Sequence, residues 1–258
     1  MNATHKHKLF KYIRNISIAL IVILAISAVA FKIYASNYYK ADTDTIAEIE
    51  GQGLATVIEY DDDTLIFVPC DTDNIKAGIV FYPGGKVEYT AYSGLMYELA
   101  QRGIVGILTR MPENLAFLDI NAASNYNSII ASVSTWYMAG HSLGGVAAGI
   151  YLDELIESDE VKPYDGIILL ASYITKDISD TDLRLLSIYG SNDGVLNLDN
   201  YNESSTNWPS DSTEYVIDGG IHSYFGCYGI QSGDGEPSIT NIEQLVETAD
   251  IIAAWVSS

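Results

Sequence analysis

A serine is a weak nucleophile near neutral pH, and it does acyl chemistry only when a base stands beside it and donors wait for the oxyanion it creates. The informative residues are therefore the four histidines and the serines near them. His5 and His7 lie in a basic leader, which leaves His141 and His222. His141 falls within Gly140-His141-Ser142-Leu143-Gly144-Gly145, a G-x-S-x-G pattern entered from the strand-like WYMA and left through the helix-prone VAAGI. That context suits a nucleophile. Glycines tolerate a sharp turn, no bulky neighbour crowds Ser142, and the N-terminus of the following helix offers partial positive charge where an oxyanion would form. The chemistry expected is acyl transfer through Ser142.

Beside the serine, His141 is expected to point away from the reacting face, so His222, in GGIH, is the expected base. Asp193, in IYGSNDG, follows a hydrophobic run and gives the chain order Ser, Asp, His, while Asp218 and Asp211 lie nearer His222 and remain alternatives. Besides the N–H of Leu143, a second oxyanion donor should come from a loop after an early strand, and FYPGGK offers Gly85 or Lys86. Phe117, in MPENLAF, and Tyr224 and Phe225 are expected to supply apolar walls for an acyl group.

The elements needed to hold these residues are present as patterns. Eight β-rich runs, at 55–60, 64–68, 78–82, 104–109, 136–139, 166–171, 185–189 and 214–217, alternate with helix-period segments at 91–102, 121–133, 146–156 and 239–256. This is the pattern of a mostly parallel sheet covered by helices. Too few residues separate Ala171-Ser172-Tyr173 from the run before Asp193 for a cap domain, so an open, shallow site is expected.

Composition bounds the setting. The apolar fraction of 48% against 18% charged describes a chain able to bury a core. Residues 1–40 hold six basic and no acidic residues; seven basic and 34 acidic residues follow, a net of −27 for the body. Such a body repels nucleic acid. Residues 16–31 read ISIALIVILAISAVAF without a charge, after Lys6, Lys8, Lys11 and Arg14. The expected division is a basic cytoplasmic leader at 1–14, a transmembrane anchor at 15–35, a tether at 36–52 and a catalytic domain at 53–258, with the body outside by the positive-inside rule. A cleaved signal segment is the alternative, since Ala28-Val29-Ala30 resembles a cleavage site; it would yield a secreted body. Cys70 and Cys227 have no metal-ligand spacing, and whether they pair stays open.

The segments FYPGGKVEYTAYSGLMYELAQRG, MPENLAF, AGHSLGG, LLASY, SIYGSNDGV and GGIHSYFGCYGIQSGDG, in that order over residues 55–256, resemble a bacterial and archaeal α/β-hydrolase family of small, often membrane-anchored proteins. Ile221 and Cys227 depart from that family's GGNHAQFGDYG pattern. The resemblance implies an α/β-hydrolase fold, a Ser142, Asp193, His222 triad, an oxyanion loop at 84–86 and no cofactor. The expected function is thus a carboxylesterase-like serine hydrolase acting on a small-molecule or lipid-like acyl substrate. A lipase or acyltransferase working on lipid or envelope substrates, and a non-catalytic surface binding protein on the same scaffold, are the alternatives.

Overall fold

The structure is a computed structural model that describes residues 3–51, 55–124, 126–158 and 164–258. It divides into two units, Met1–Tyr38 and Tyr39–Ser258. The first is helix α1 (Ala3–Ser36). Among the described residues it alone is long and apolar enough to cross a membrane, over Phe10–Ser36. Those 27 residues rise about 40 Å, more than the ~30 Å hydrocarbon core of a bilayer. A signal segment passes the same test.

The second unit is built on eight strands, β1 (Ala55–Asp61), β2 (Thr64–Pro69), β3 (Ala77–Tyr82), β4 (Ile104–Thr109), β5 (Trp136–His141), β6 (Gly166–Leu170), β7 (Arg184–Gly190) and β8 (Asp211–Ile217). They form one sheet in the order β1-β2-β4-β3-β5-β6-β7-β8. Only β1 with β2 and β2 with β4 pair antiparallel. The other pairs, from β4-β3 to β7-β8, are parallel. Strands β3 to β6 are buried along their whole length, as AGIVFY, IVGILT, WYMAGH and GIILL require, because such runs need cover on both faces.

Alternation along each strand divides the core. Ile79, Phe81, Leu108, Ile168 and Leu186 pack on one face, under α3 (Ser93–Gln101) and α6 (Asn241–Trp255). Val80, Tyr82, Ile107, Met138 and Leu169 pack on the other, under α4 (Leu143–Glu157). Helix α6 begins with a capping box between Thr240 and Glu243.

All eight strand positions expected from sequence are occupied. The helix expected at 121–133 is not formed: short 3₁₀ turns, Ile120–Ala123 and Tyr126–Ser128, stand there instead. Two helices were not anticipated. One, α5 (Leu198–Ser204), follows β7. The other lies in the expected tether: Asp42 caps α2 (Thr43–Glu50), whose Ile46 and Ile49 are 7% and 1% exposed. Burying two such side chains contributes about 1.5–3 kcal/mol each, enough to dock this helix as part of the body. Among the described residues neither cysteine is in a disulfide: Cys70 is exposed and Cys227 buried.

Candidate active site

Strand β5 delivers Ser142 at the carboxyl edge of the sheet. The serine adopts φ 50° and ψ −124°, a strained elbow, and its N–H and carbonyl are tied to the next strand by Leu170 O at 2.9 Å and Ser172 Oγ at 2.7 Å. The glycines around it are dictated by contact. A Cβ on Gly144 would lie 2.2 Å from Tyr82 O, and one on Gly140 2.5 Å from Gly144 C, both immovable backbone.

Strand β8 and the loop after it deliver His222, and β7 delivers Asp193. Their side chains are each 2% exposed, and His222 Nδ1 meets Asp193 Oδ2 at 2.9 Å. The second carboxylate oxygen accepts from the N–H groups of Val195 at 2.8 Å and Leu196 at 2.7 Å, which fixes the carboxylate as an anionic acceptor. An Nδ1–H donated to this carboxylate leaves Nε2 as the ring atom able to accept a proton. Among the described residues the buried Nε2 has no hydrogen-bond partner, and His222 and Ser142 both line a cleft of about 220 Å³. Asp218 is exposed and Asp211 pairs with Arg184 at 3.2 Å, so neither reaches His222.

Two donors face the elbow. The N–H of Leu143 precedes the first intrahelical bonds, since Gly145 and Val146 both donate to Ser142 O. In the opposing loop the N–H of Gly84 is taken by Tyr92 Oη at 3.0 Å and that of Lys86 by Asn114 O at 2.8 Å. Lys86, expected as one of two possible donors, is thus already engaged. Gly85 remains: among the described residues no acceptor takes its N–H, and a Cβ there would lie 2.9 Å from the Leu143 side chain.

His141 does turn from the cleft, but not into bland core. Its ring packs against His222 at 4.6 Å between centroids, and its Nδ1 lies 2.8 Å from the Tyr92 hydroxyl. Burial holds it well below the ordinary histidine pKa, the neighbouring His222 pushes the same way, and the His222 backbone carbonyl opposes them. The neutral form is thereby favoured, and its Nδ1 is engaged by Tyr92 rather than turned to the serine.

The expected apolar walls need correction. Phe225 is fully buried in the core, and neither Phe117, exposed on a 3₁₀ turn, nor the half-buried Tyr224 lines the cleft. Leu143, Val146, Ala171, Tyr173, Val195 and Leu196 do. Leu143 comes from the G-x-S-x-G pattern, Val146 from the helix it opens, and Ala171 and Tyr173 from just beyond the end of β6, while Val195 and Leu196 are the donors that hold Asp193.

A residue the motifs did not single out is Asp234. Its carboxylate accepts from the N–H of Gly194 at 3.2 Å, His222 at 3.1 Å, Gly235 at 2.9 Å and Ser223 at 2.7 Å, and from the Ser223 hydroxyl. One side chain thereby binds the loop after the acid and the backbone of the base. Ile221 is buried with its backbone clasped at both polar atoms by Gln244, so its departure from the family pattern leaves the position of His222 intact. Among the described residues no group of His, Cys, Asp or Glu is arranged to hold a metal ion.

No curated protein matches the sequence. Among solved structures, an esterase of Pyrobaculum calidifontis in a monoclinic form superposes with a TM-score of 0.56 at 14% identity, over 84% of this chain and 94% of that one, a likeness of fold. The model of the alpha/beta hydrolase family matches residues 78–246, which run from β3 through the elbow, both partner loops and into α6. By that match and by the sheet that carries it, this chain belongs to the alpha/beta hydrolase family.

Proposed function

We propose that this protein is a serine hydrolase that cleaves small esters outside the membrane, with Ser142 as nucleophile, His222 as base and Asp193 as its orienting carboxylate. The observation that carries this is the His222 imidazole, bonded to a buried carboxylate through Nδ1, left unpartnered at Nε2, and lining the same cleft as Ser142. Ser142 Oγ and His222 Nε2 are not hydrogen-bonded in this structure; the proposed bond forms when substrate orders the hydroxyl.

Ser142 Oγ adds to the ester carbonyl and gives its proton to His222 Nε2, while Asp193 stabilises the resulting imidazolium. The tetrahedral oxyanion sits between the N–H groups of Leu143 and Gly85; losing one such donor typically costs ~2.7–4 kcal/mol. His222 then protonates the departing alcohol, and water, activated by the same imidazole, releases the acid. The cleft of about 220 Å³ corresponds to roughly seven water volumes at ~30 Å³ each, which suits a short acyl chain rather than a lipid tail. Basic residues before the apolar helix and an acidic body after it support an anchored, outward-facing arrangement, with a cleaved, secreted form as the alternative.

The test is labelling by a fluorophosphonate together with turnover of p-nitrophenyl esters from acetate to laurate. Wild-type protein is expected to label and to prefer the short esters; Ser142→Ala is expected to do neither. Equal labelling of both proteins would remove Ser142 from the mechanism.

A further inference from the structure

The residues that follow α1 were expected to be a tether, yet they are bonded to both catalytic loops. Tyr39 pairs with Val87 in a parallel bridge: its N–H donates to Lys86 O at 2.8 Å and its carbonyl accepts from Glu88 N at 2.9 Å. Two residues later Ala41 N donates to Glu88 Oε2 at 3.0 Å. The same stretch also holds the loop of the base. Ser232 N donates to Tyr39 Oη at 3.0 Å, Asp42 N donates to Cys227 O at 2.8 Å, and the Tyr39 ring lies 5.7 Å from that of Tyr228.

These bonds fall where the oxyanion loop needs them. Lys86, next to Gly85, sits at φ 60°, a conformation a non-glycine residue keeps only when its neighbours impose it. Its N–H is fixed by Asn114 O and its carbonyl by Tyr39 N, so one of its two backbone bonds comes from the stretch after the apolar helix. On the other side of Gly85, Tyr92 Oη holds Gly84. Remove the Tyr39 bond and the Lys86 carbonyl loses its donor, leaving the loop held by Tyr92 at Gly84, by Asn114 at the Lys86 N–H and by its own Val87-to-Gly84 bond.

We propose that residues 39–42 are a positioning strap: they fix the loop that aims the Gly85 N–H and lock it to the loop that carries His222, so that full catalytic competence requires the segment immediately following the apolar helix. This rests on the serine hydrolase reading given above. The geometric demand is tight, because an oxyanion donor must stand about 2.7–3.1 Å from the developing charge and a misplacement of ~1 Å costs on the order of 100-fold in rate. The strap survives cleavage after Ala30, so anchored and released forms are equally competent, whereas a cut beyond residue 42 disables the site.

The test uses the full chain in detergent micelles. Tyr39→Pro removes two links of the strap, the N–H that holds Lys86 and the hydroxyl that holds Ser232 N; Lys40→Ala alters an exposed side chain of the strap and leaves its backbone bonds in place. Expected for Tyr39→Pro are a fall in kcat of about tenfold or more, a KM within about threefold of wild type, and a parallel loss of affinity for phenylboronic acid, whose serine adduct places an oxygen in the oxyanion site. A merely structural role would lower the melting temperature without moving boronate affinity. Lys40→Ala is expected to match wild type. Should Tyr39→Pro fail to unfold cooperatively, Glu88→Ala, which deletes only the acceptor for Ala41 N, is expected to lower kcat and boronate affinity together by about threefold or more. A folded variant with both quantities within about twofold of an active wild type overturns the strap alone. A wild type that neither takes the fluorophosphonate nor turns over any ester overturns the hydrolase reading and the strap with it.

Discussion

Replacing Asp234 by asparagine should disable a clamp that serves two members of the proposed triad at once, and its cost can be worked from the bonds. The carboxylate takes five donors: Gly194, His222 and Gly235 on Oδ1, and the N–H and hydroxyl of Ser223 on Oδ2. An amide has one acceptor oxygen. In its least costly orientation it keeps the three Oδ1 bonds and turns its NH₂ to Ser223, where the hydroxyl can rotate to accept but the buried N–H is orphaned. An unsatisfied buried N–H costs ~1–3 kcal/mol, and the remaining bonds lose the strength that an ionised acceptor lends. Asp234 itself is only half-buried, so solvent screens part of the change, and about 2 kcal/mol is the net expectation. For a body of this size that is a fall of about 4–8 °C in melting temperature. The same loss should appear in kcat more than in KM, because Gly194 and His222 both lose a fixed partner. Acid supplies an independent check. Burial pushes the Asp234 carboxyl up, but bonds from the Ser223 side chain and backbone, Gly194 and Gly235 outweigh it and leave it below the ordinary value. A depressed carboxylate contributes stability above its unfolded pKa of about 3.9 and loses it as pH falls through the folded value. The gap between wild type and Asp234→Asn, read by thermal unfolding, should therefore be flat from about pH 5 to 8 and close on further acidification. Equal melting temperatures at pH 7, or a gap that persists unchanged into strong acid, would refute the clamp.

Two further outcomes follow from buried groups around the site. Tyr92→Phe removes the hydroxyl shared by Gly84 N and His141 Nδ1, leaving two buried polar groups unpaired; denaturant unfolding should show a loss of about 2–4 kcal/mol. An unchanged denaturation midpoint would mean that water or a shifted ring replaces the phenol. Burial, with a smaller push from Asp42, raises the Cys227 thiol to about 12, while Cys70 is exposed. A chromogenic disulfide reagent should titrate one thiol in the native protein and two in guanidinium, and two native thiols would place Cys227 at the surface.

The parts of this molecule that were legible beforehand share a physical cause. A strand buried on both faces must be apolar throughout, so the runs around Val80, Ile107, Met138 and Ile168 announce themselves, and a nucleophile on a strained turn needs glycines where Gly140 and Gly144 meet backbone at 2.5 Å or less. What the sequence hid was set by partners distant in the chain. The apolar spacing of 121–133 reads as a helix, yet those side chains cover the sheet from 3₁₀ turns whose backbone is held by Tyr82 Oη at Ala123 N, a bond no local pattern encodes. Phe225 and Leu196 are both apolar neighbours of triad residues, and only the path of the loop decides that the first enters the core and the second the cleft.

The same distinction explains the stretch at 39–42. Its Lys40 and Asp42 have the polarity of a linker, and apart from the Tyr39 side chain its attachment is made by backbone groups, to Lys86, Glu88 and Cys227, which any residue but proline could supply. Side-chain identity therefore carries almost no trace of that role. Where a site is positioned through main-chain bonds, substitution to alanine leaves those bonds intact, and proline, chain cleavage or loss of the Glu88 acceptor discriminates, which is why a scan of the side chains lining the Ser142 cleft would miss the strap.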